Sequence, residues 1–198
     1  MGPVTVKGPE GAFGWVYGDL NGFIESTNGP AVGVVYGNAT GAVRGGTDAL
    51  AYVLGSFVGD VDAGDYAGVV SFGPYDGYVT AGDSAFLVSE SSINAGVTAG
   101  QDIDVWAIGD VTGTYTAGRD AAVETYGTYN ASTATGRDVR FVWAREDILG
   151  TIDAGRNIGG GGYWGTEDYY YGGPNSFAVF AHGMINASIL ANNMSADP

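Results

Sequence analysis

Three arginines, Arg119, Arg137 and Arg156, each follow a glycine, and an acid or amide follows each of them in turn. Asp102, Asp120, Asp138 and Asn157 form that second column, two positions after Gly100, Gly118, Gly136 and Gly155. Guanidinium and carboxylate groups in parallel rows support two kinds of chemistry. They can converge on a polyanionic sugar as binding or catalytic groups. Alternatively they pair with one another and hold neighbouring segments in register, as a structural corner ladder. The even spacing favours the ladder.

A second set consists of acids: Asp60, Asp62, Asp65, Asp76, Asp83, Asp102, Asp104 and Asp110. Clustered carboxylate oxygens suit calcium, which makes it the one metal this composition suggests, although no Gly-Gly-x-Gly-x-Asp nonapeptide repeats here. No other cofactor is expected. The aromatic residues are a third set, among them Tyr75, Tyr78, Trp106, Tyr126, Tyr129, Trp143, Trp164, Tyr169, Tyr170 and Tyr171. Outward rows of rings stack on sugars or anchor a protein partner, while other rings turn inward. Trp106, Trp143, Trp164, Tyr169, Tyr170 and Tyr171 are the candidate binding residues, and Trp106 and Trp143 occupy nearly the same column. His182 is the single histidine and cysteine is absent, so a nucleophilic triad or a thiolate metal site lacks its partners. The chain reads as non-enzymatic.

What positions these residues is a repeat. Ala-Gly-Asp and its variants recur with glycines at 64, 82, 100, 118, 136 and 155, in steps of 18, 18, 18, 18 and 19, and Gly46-Thr47-Asp48 is a degenerate earlier copy. Stacked on the glycine, the columns sort by chemistry. Three positions before it stand Val61, Val79, Val97, Tyr115, Thr133 and Ile152; five after it stand Val69, Leu87, Val105, Val123 and Phe141. Apolar residues at every second position mean strands with one buried face. The phase breaks at the glycine, where a corner needs positive φ or close backbone approach. Nine residues on, Gly73, Gly109 and Gly127 mark a second corner. The expectation is an all-β, single-stranded parallel β-helix of about 18 residues per coil, stabilised by stacked neighbours. A strict aliphatic-at-every-sixth pattern is missing, which favours the right-handed form.

Residues 1–42 are the least regular and predict degenerate coils or an N-terminal cap. Residues 43–198 predict the solenoid body, with a projecting loop near 159–172 and a slip of one residue where alternation resumes at Phe177, Val179 and Ala181. Alternation persists through Ile185, Ala187, Ile189 and Ala191, as expected of a piece of a longer protein. With 22 acids against seven bases the formal charge is −15. No basic stripe exists to neutralise phosphates, so nucleic acid is not an expected partner. No apolar run is long enough to insert across a bilayer as a helix.

The runs Val97-Thr98-Ala99-Gly100-Gln101-Asp102-Ile103, Thr116-Ala117-Gly118-Arg119-Asp120 and Ile152-Asp153-Ala154-Gly155-Arg156-Asn157-Ile158 resemble repeats of large bacterial surface proteins. They are similar to filamentous-haemagglutinin-type adhesins and to long β-helix repeat proteins of planctomycete-like bacteria, although the coils here are slightly shorter. The resemblance covers about residues 43–160 and implies a right-handed β-helix, export to the cell surface, and adhesive or structural use. The expected function is a non-enzymatic rod in a secreted or cell-surface bacterial protein, contacting a surface glycan or protein. Two alternatives stand beside it: a filament subunit joined end to end with further copies of itself, and a β-helix polysaccharide lyase or hydrolase.

Overall fold

The computed structural model describes residues 4–159 and 179–191. Short apolar-polar alternations, separated by corners of two to four residues, make every element a strand. In chain order these are β1 (Val4–Gly8), β2 (Ala12–Val16), β3 (Leu20–Ser26), β4 (Ala31–Val35) and β5 (Ala39–Gly45). Next come β6 (Ala49–Val53), β7 (Phe57–Ala63), β8 (Ala67–Ser71), β9 (Tyr75–Ala81) and β10 (Ala85–Ser89). Then follow β11 (Ile93–Ala99), β12 (Ile103–Ala107), β13 (Val111–Ala117), β14 (Asp120–Thr125) and β15 (Tyr129–Thr135). The last are β16 (Asp138–Ala144), β17 (Ile148–Ala154), β18 (Asn157–Ile158), β19 (Val179–Ala181) and β20 (Ile185–Ala191). No helix long and apolar enough to cross a membrane occurs among the described residues.

The odd strands β1 to β17, continued by β20, pair in order as one ten-stranded parallel sheet, here sheet A. The even strands β2 to β18 form sheet B, and β19 also pairs with β16. Each coil contributes one strand to each sheet, so the protein is a two-sided β-solenoid. Ten strands spaced about 4.8 Å apart make sheet A a ladder about 43 Å long. Residues 4–42 run in these same two ladders, with β1 on β3, β3 on β5 and β2 on β4.

Equivalent residues sit directly over one another: Val97 lies between Val79 and Tyr115, and Val105 between Leu87 and Val123. All six are buried. The interior is therefore a set of stacked columns, narrowed to alanine beside the corners at Ala81, Ala99 and Ala117. The motif glycines are needed for close approach: a Cβ on Gly82, Gly100 or Gly118 would strike the carbonyl oxygen of the glycine one coil away. None of them has positive φ. That conformation occurs in a different column, at Gly22, Gly41, Gly59, Gly113 and Gly150 inside sheet A, and at Gly159 after β18.

Missing side-chain volume in that column is matched by large rings nearby. Tyr75, Tyr115 and Tyr129 are fully buried, and Phe57 stacks on Tyr75 at 5.2 Å. Their hydroxyls stay satisfied. Tyr75 donates to the Gly59 carbonyl oxygen at 3.2 Å, Tyr115 to that of Thr112 at 3.0 Å, and Tyr129 to Thr133 Oγ1 at 2.7 Å. Tyr75 and Tyr129, grouped by sequence with the other aromatic residues, thus belong to the core.

Two sequence expectations are corrected. Phe141 does not occupy the buried column, because a β-bulge between Ala121 and Ala122 shifts the register and places Val142 on Val123. The extra residue is Arg140, which accounts for the single step of 19 among the motif glycines. Nor is there a slip at Val179, since Val179 and Ala181 fall on the buried Val142 and Ala144. Instead, β18 and β19 share one rung over β16, with residues 160–178 inserted between them. Consequently β20 stacks on β17 across 37 residues instead of 18 or 19, as the Met184 N–H to Asp147 contact records. Phe177 and most of the expected loop at 159–172 lie outside the described residues.

Burial pushes the Tyr75 and Tyr115 hydroxyls far above the ordinary tyrosine pKa, and that of Tyr129 up to about 12. A pKa raised by folding contributes stability that is complete below the unfolded value, near pH 10, and is lost as pH climbs through the folded values. The melting temperature should therefore fall steeply above about pH 10. Tyr75→Phe, Tyr115→Phe and Tyr129→Phe should each flatten that fall while costing about 0.5–1.5 kcal/mol at neutral pH. Melting curves of the variants across alkaline pH test this; parallel curves for wild type and variants would contradict it.

Candidate functional site

The corner following each sheet A strand carries the arginine-aspartate columns. Arg119 donates through Nε to Asp102 Oδ1 at 2.9 Å and through Nη2 to the second oxygen. Arg137 grips Asp120 in the same way at 3.0 and 2.5 Å, and Arg156 grips Asp138 at 3.1 and 2.6 Å. Each of these three arginines reaches back one coil. The carboxylates also accept backbone N–H groups from the coil above: Asp102 from Asp120 at 3.2 Å, Asp120 from Asp138 at 3.1 Å and Asp138 from Asn157 at 3.1 Å. Each aspartate therefore joins its own corner to the next by a charge-assisted fork and a main-chain bond. Their hydrogen bonds to Arg119 and Arg156 hold the Asp102 and Asp138 carboxyls below the usual aspartate range.

The other corner holds a ladder that the motif alignment misses. Asp19 accepts from Asn38 N at 2.8 Å, Asn38 Oδ1 from Ser56 N at 2.9 Å, Asp110 from Thr128 N at 2.8 Å and Asp147 from Met184 N at 2.7 Å. The signal was present: Asn38, Asp110 and Asp147 each stand eight residues before a motif glycine. Asp76 accepts from Asn94 and Asp62 from Arg44, so several acids grouped above for calcium already have protein partners. Among the described residues no group of three or more His, Asp or Glu side chains is placed to hold a metal ion.

The outward faces of the two sheets differ. Sheet A is largely polar between its end strands, with Asp76, Asn94, Thr112 and Asn130 along one column and Thr80, Thr98 and Thr116 along another, and with Val58 and Tyr78 as its exposed large apolar side chains there. Sheet B presents Phe13, Trp15, Leu50 and Phe86, and the corner after it presents Tyr17, Tyr36, Phe72, Ile108 and Tyr126; all are exposed. These groups form ring clusters. At one end Trp15 stacks with Tyr36, and Tyr36 with Tyr17, at 6.0 and 5.3 Å. Farther along, Tyr126 lies edge-on to Trp106 at 6.2 Å and to Trp143 at 5.2 Å. His182 then meets Trp143 and Phe180 edge-on at 6.2 and 5.3 Å.

Trp106 and Trp143 share one outward column, and the residue on the rung between them is Glu124. The Trp106 indole beside Glu124 draws its carboxyl pKa down, but partial burial outweighs it and raises the carboxyl above the ordinary glutamate range. In the adjacent column Arg140 crosses the rung of Ala122 to pair with Asp104. Alanine leaves room for that crossing, and burial outweighs the arginine to raise the Asp104 carboxyl. Trp164, Tyr169, Tyr170 and Tyr171 lie outside the described residues, within the stretch inserted between β18 and β19. Comparison of the chain with family models, curated proteins and solved structures returns no match.

A depressed carboxylate pKa contributes stability above the unfolded value, near pH 4, and loses it as pH falls through the folded value. Asp102 and Asp138 behave in this sense, whereas the raised Asp104 acts oppositely. Stability should hold through neutral pH and drop below about pH 4. Removing the nearly buried Asp120 side chain takes the fork from Arg137 and one of two acceptors from the Asp138 N–H, so Asp120→Ala should cost about 1–3 kcal/mol. Denaturant unfolding at several pH values measures both effects. An unchanged midpoint for Asp120→Ala would show that the corner fork adds nothing.

Proposed function

We propose that this chain is a non-catalytic binding rod of a secreted or cell-surface bacterial protein, and that it docks an extended glycan along the outer face of sheet B. The asymmetry of the two faces carries this reading. Sheet A offers mostly threonine, asparagine and acid; sheet B offers rings and aliphatic side chains in columns running along the rod. A contiguous exposed apolar surface of this kind marks a contact site. Pyranose rings have apolar C–H faces that lie on aromatic rings, while Asp104, Glu124 and Arg140 supply hydrogen-bonding groups for hydroxyls. A linear polymer repeats along its axis as the solenoid does, which a folded protein surface does not.

The corner arginines support a rod without catalysis, because their forks are already engaged by aspartates. The acids at the corners likewise serve main-chain N–H groups, and the mechanism invokes no cofactor. Stacked coils keep the binding columns at fixed spacing, so the rod presents the same geometry to every stretch of a regular polymer.

Affinity electrophoresis and fluorescence titration against β-linked polysaccharides test the assignment. Trp106→Ala with Trp143→Ala should weaken binding by roughly 30-fold or more, since buried aromatic anchors dominate interfaces. Tyr78→Ala, on sheet A, should leave it unchanged. Equal loss from both faces, or no binding to any polysaccharide, would contradict the assignment.

A further inference from the structure

The most unusual group on sheet B is Glu124. Its neighbours across the rungs are Trp106 and Trp143, and Tyr126, two residues along the same strand direction, places its ring against both tryptophans. Three ring-bearing residues thus flank Glu124 along its column and its chain. The one side chain that favours its charged form is the neutral Trp106 indole. Lys7, Arg44, Arg119, Arg137, Arg140 and Arg156 each pair with a different acid, and no ion pair to Glu124 occurs among the described residues. Arg145, at the corner beyond Ala144, makes none with it either.

A partly buried carboxylate without a cation is costly, and the cost is relieved when a cation arrives. Ring faces attract the same charge through their quadrupoles. Both features select one kind of ligand. Calcium does not fit, because it takes six to eight oxygens and this site offers one carboxylate among rings. An ammonium group fits: its N–H bonds reach the carboxylate and its charge lies against the tryptophans.

We propose that Glu124, Trp106, Tyr126 and Trp143 form a site for an ammonium group carried on a sugar, so that the glycan bound by sheet B is an amino-sugar polymer with free amines. This inference rests on the glycan-binding reading and narrows its ligand class. The tryptophans stand two rungs apart, about 9.6 Å along the axis, and an extended β-linked pyranose chain advances by close to one rung per sugar. One amine can therefore sit over Glu124 while flanking sugars lie on the two rings. The net charge of −15 draws a polycation to the rod from a distance, and the site gives it a position.

The test is titration of the whole chain, followed by tryptophan fluorescence, with three β-1,4-linked oligomers of equal length: glucosamine, N-acetylglucosamine and glucose. Glucosamine should bind tightest, by roughly tenfold or more. Glu124→Gln should remove that preference, bringing the glucosamine oligomer down to the affinity of the acetylated one. Equal affinity for the amine and acetylated oligomers overturns the amine site but leaves the glycan face standing. A preference that survives Glu124→Gln and disappears in salt also overturns it, since it then belongs to the net charge. Failure of all three oligomers to bind removes the glycan reading and the amine site together.

Discussion

The structure depends on a main-chain ladder that, from β1 to β18, places nearly every strand residue directly over the one 18 or 19 positions earlier. Parallel pairing at about 4.8 Å leaves side chains no choice of vertical neighbour. Like residues therefore meet like, which is favourable for Val61 on Val79 and Val97 but unfavourable for Asp102 below Asp120 and Asp138. The arginine forks answer that problem by placing a positive group between successive negative ones. Glycine answers a related one at the corners, where Gly82, Gly100 and Gly118 stack too closely for any side chain. Volume is balanced within the coil, with buried tyrosines beside a column of glycine and alanine.

Much of this was legible in the sequence because a solenoid converts period directly into contact. The steps of 18 gave the coil length, and the columns at Val97 and Val105 proved to be inward. The arginine-aspartate columns also stand where the alignment put them, next to one another across coils. What remained hidden depended on departures from the period. The bulge at Arg140 moved Phe141 out of the core, yet in sequence it is visible only as one step of 19. The return of the chain to the rung over β16 at Val179 was hidden too, because the residues between Ile158 and Val179 nearly equal one repeat in number. For Tyr75 and Tyr129 the sequence left inward and outward placement open, and the neighbouring glycine column is what makes room for them inside.

The candidate site was only half visible. Trp106 and Trp143 share a column that the repeat makes legible, but Glu124 between them is an isolated acid, which has no signature until register fixes its neighbours. The contrast between faces was obscured for the same reason. Polar and aromatic residues alternate with buried ones in both strand sets, and separating the two outward surfaces requires knowing which strands share a sheet. Once separated, sheet A is a hydrated polar surface and sheet B a ring-bearing one. A rigid ladder then makes the spacing of the rings a fixed ruler, in which repetition serves recognition as well as stability.

The most direct measurement is hydroxyl-radical footprinting of the chain with and without bound β-linked polysaccharide, read by mass spectrometry. Use of the sheet B face predicts protection of Trp15, Phe86, Trp106 and Trp143 together, with Tyr78 on sheet A equally oxidised in both states. Protection of Tyr78 with those residues left reactive would contradict the account.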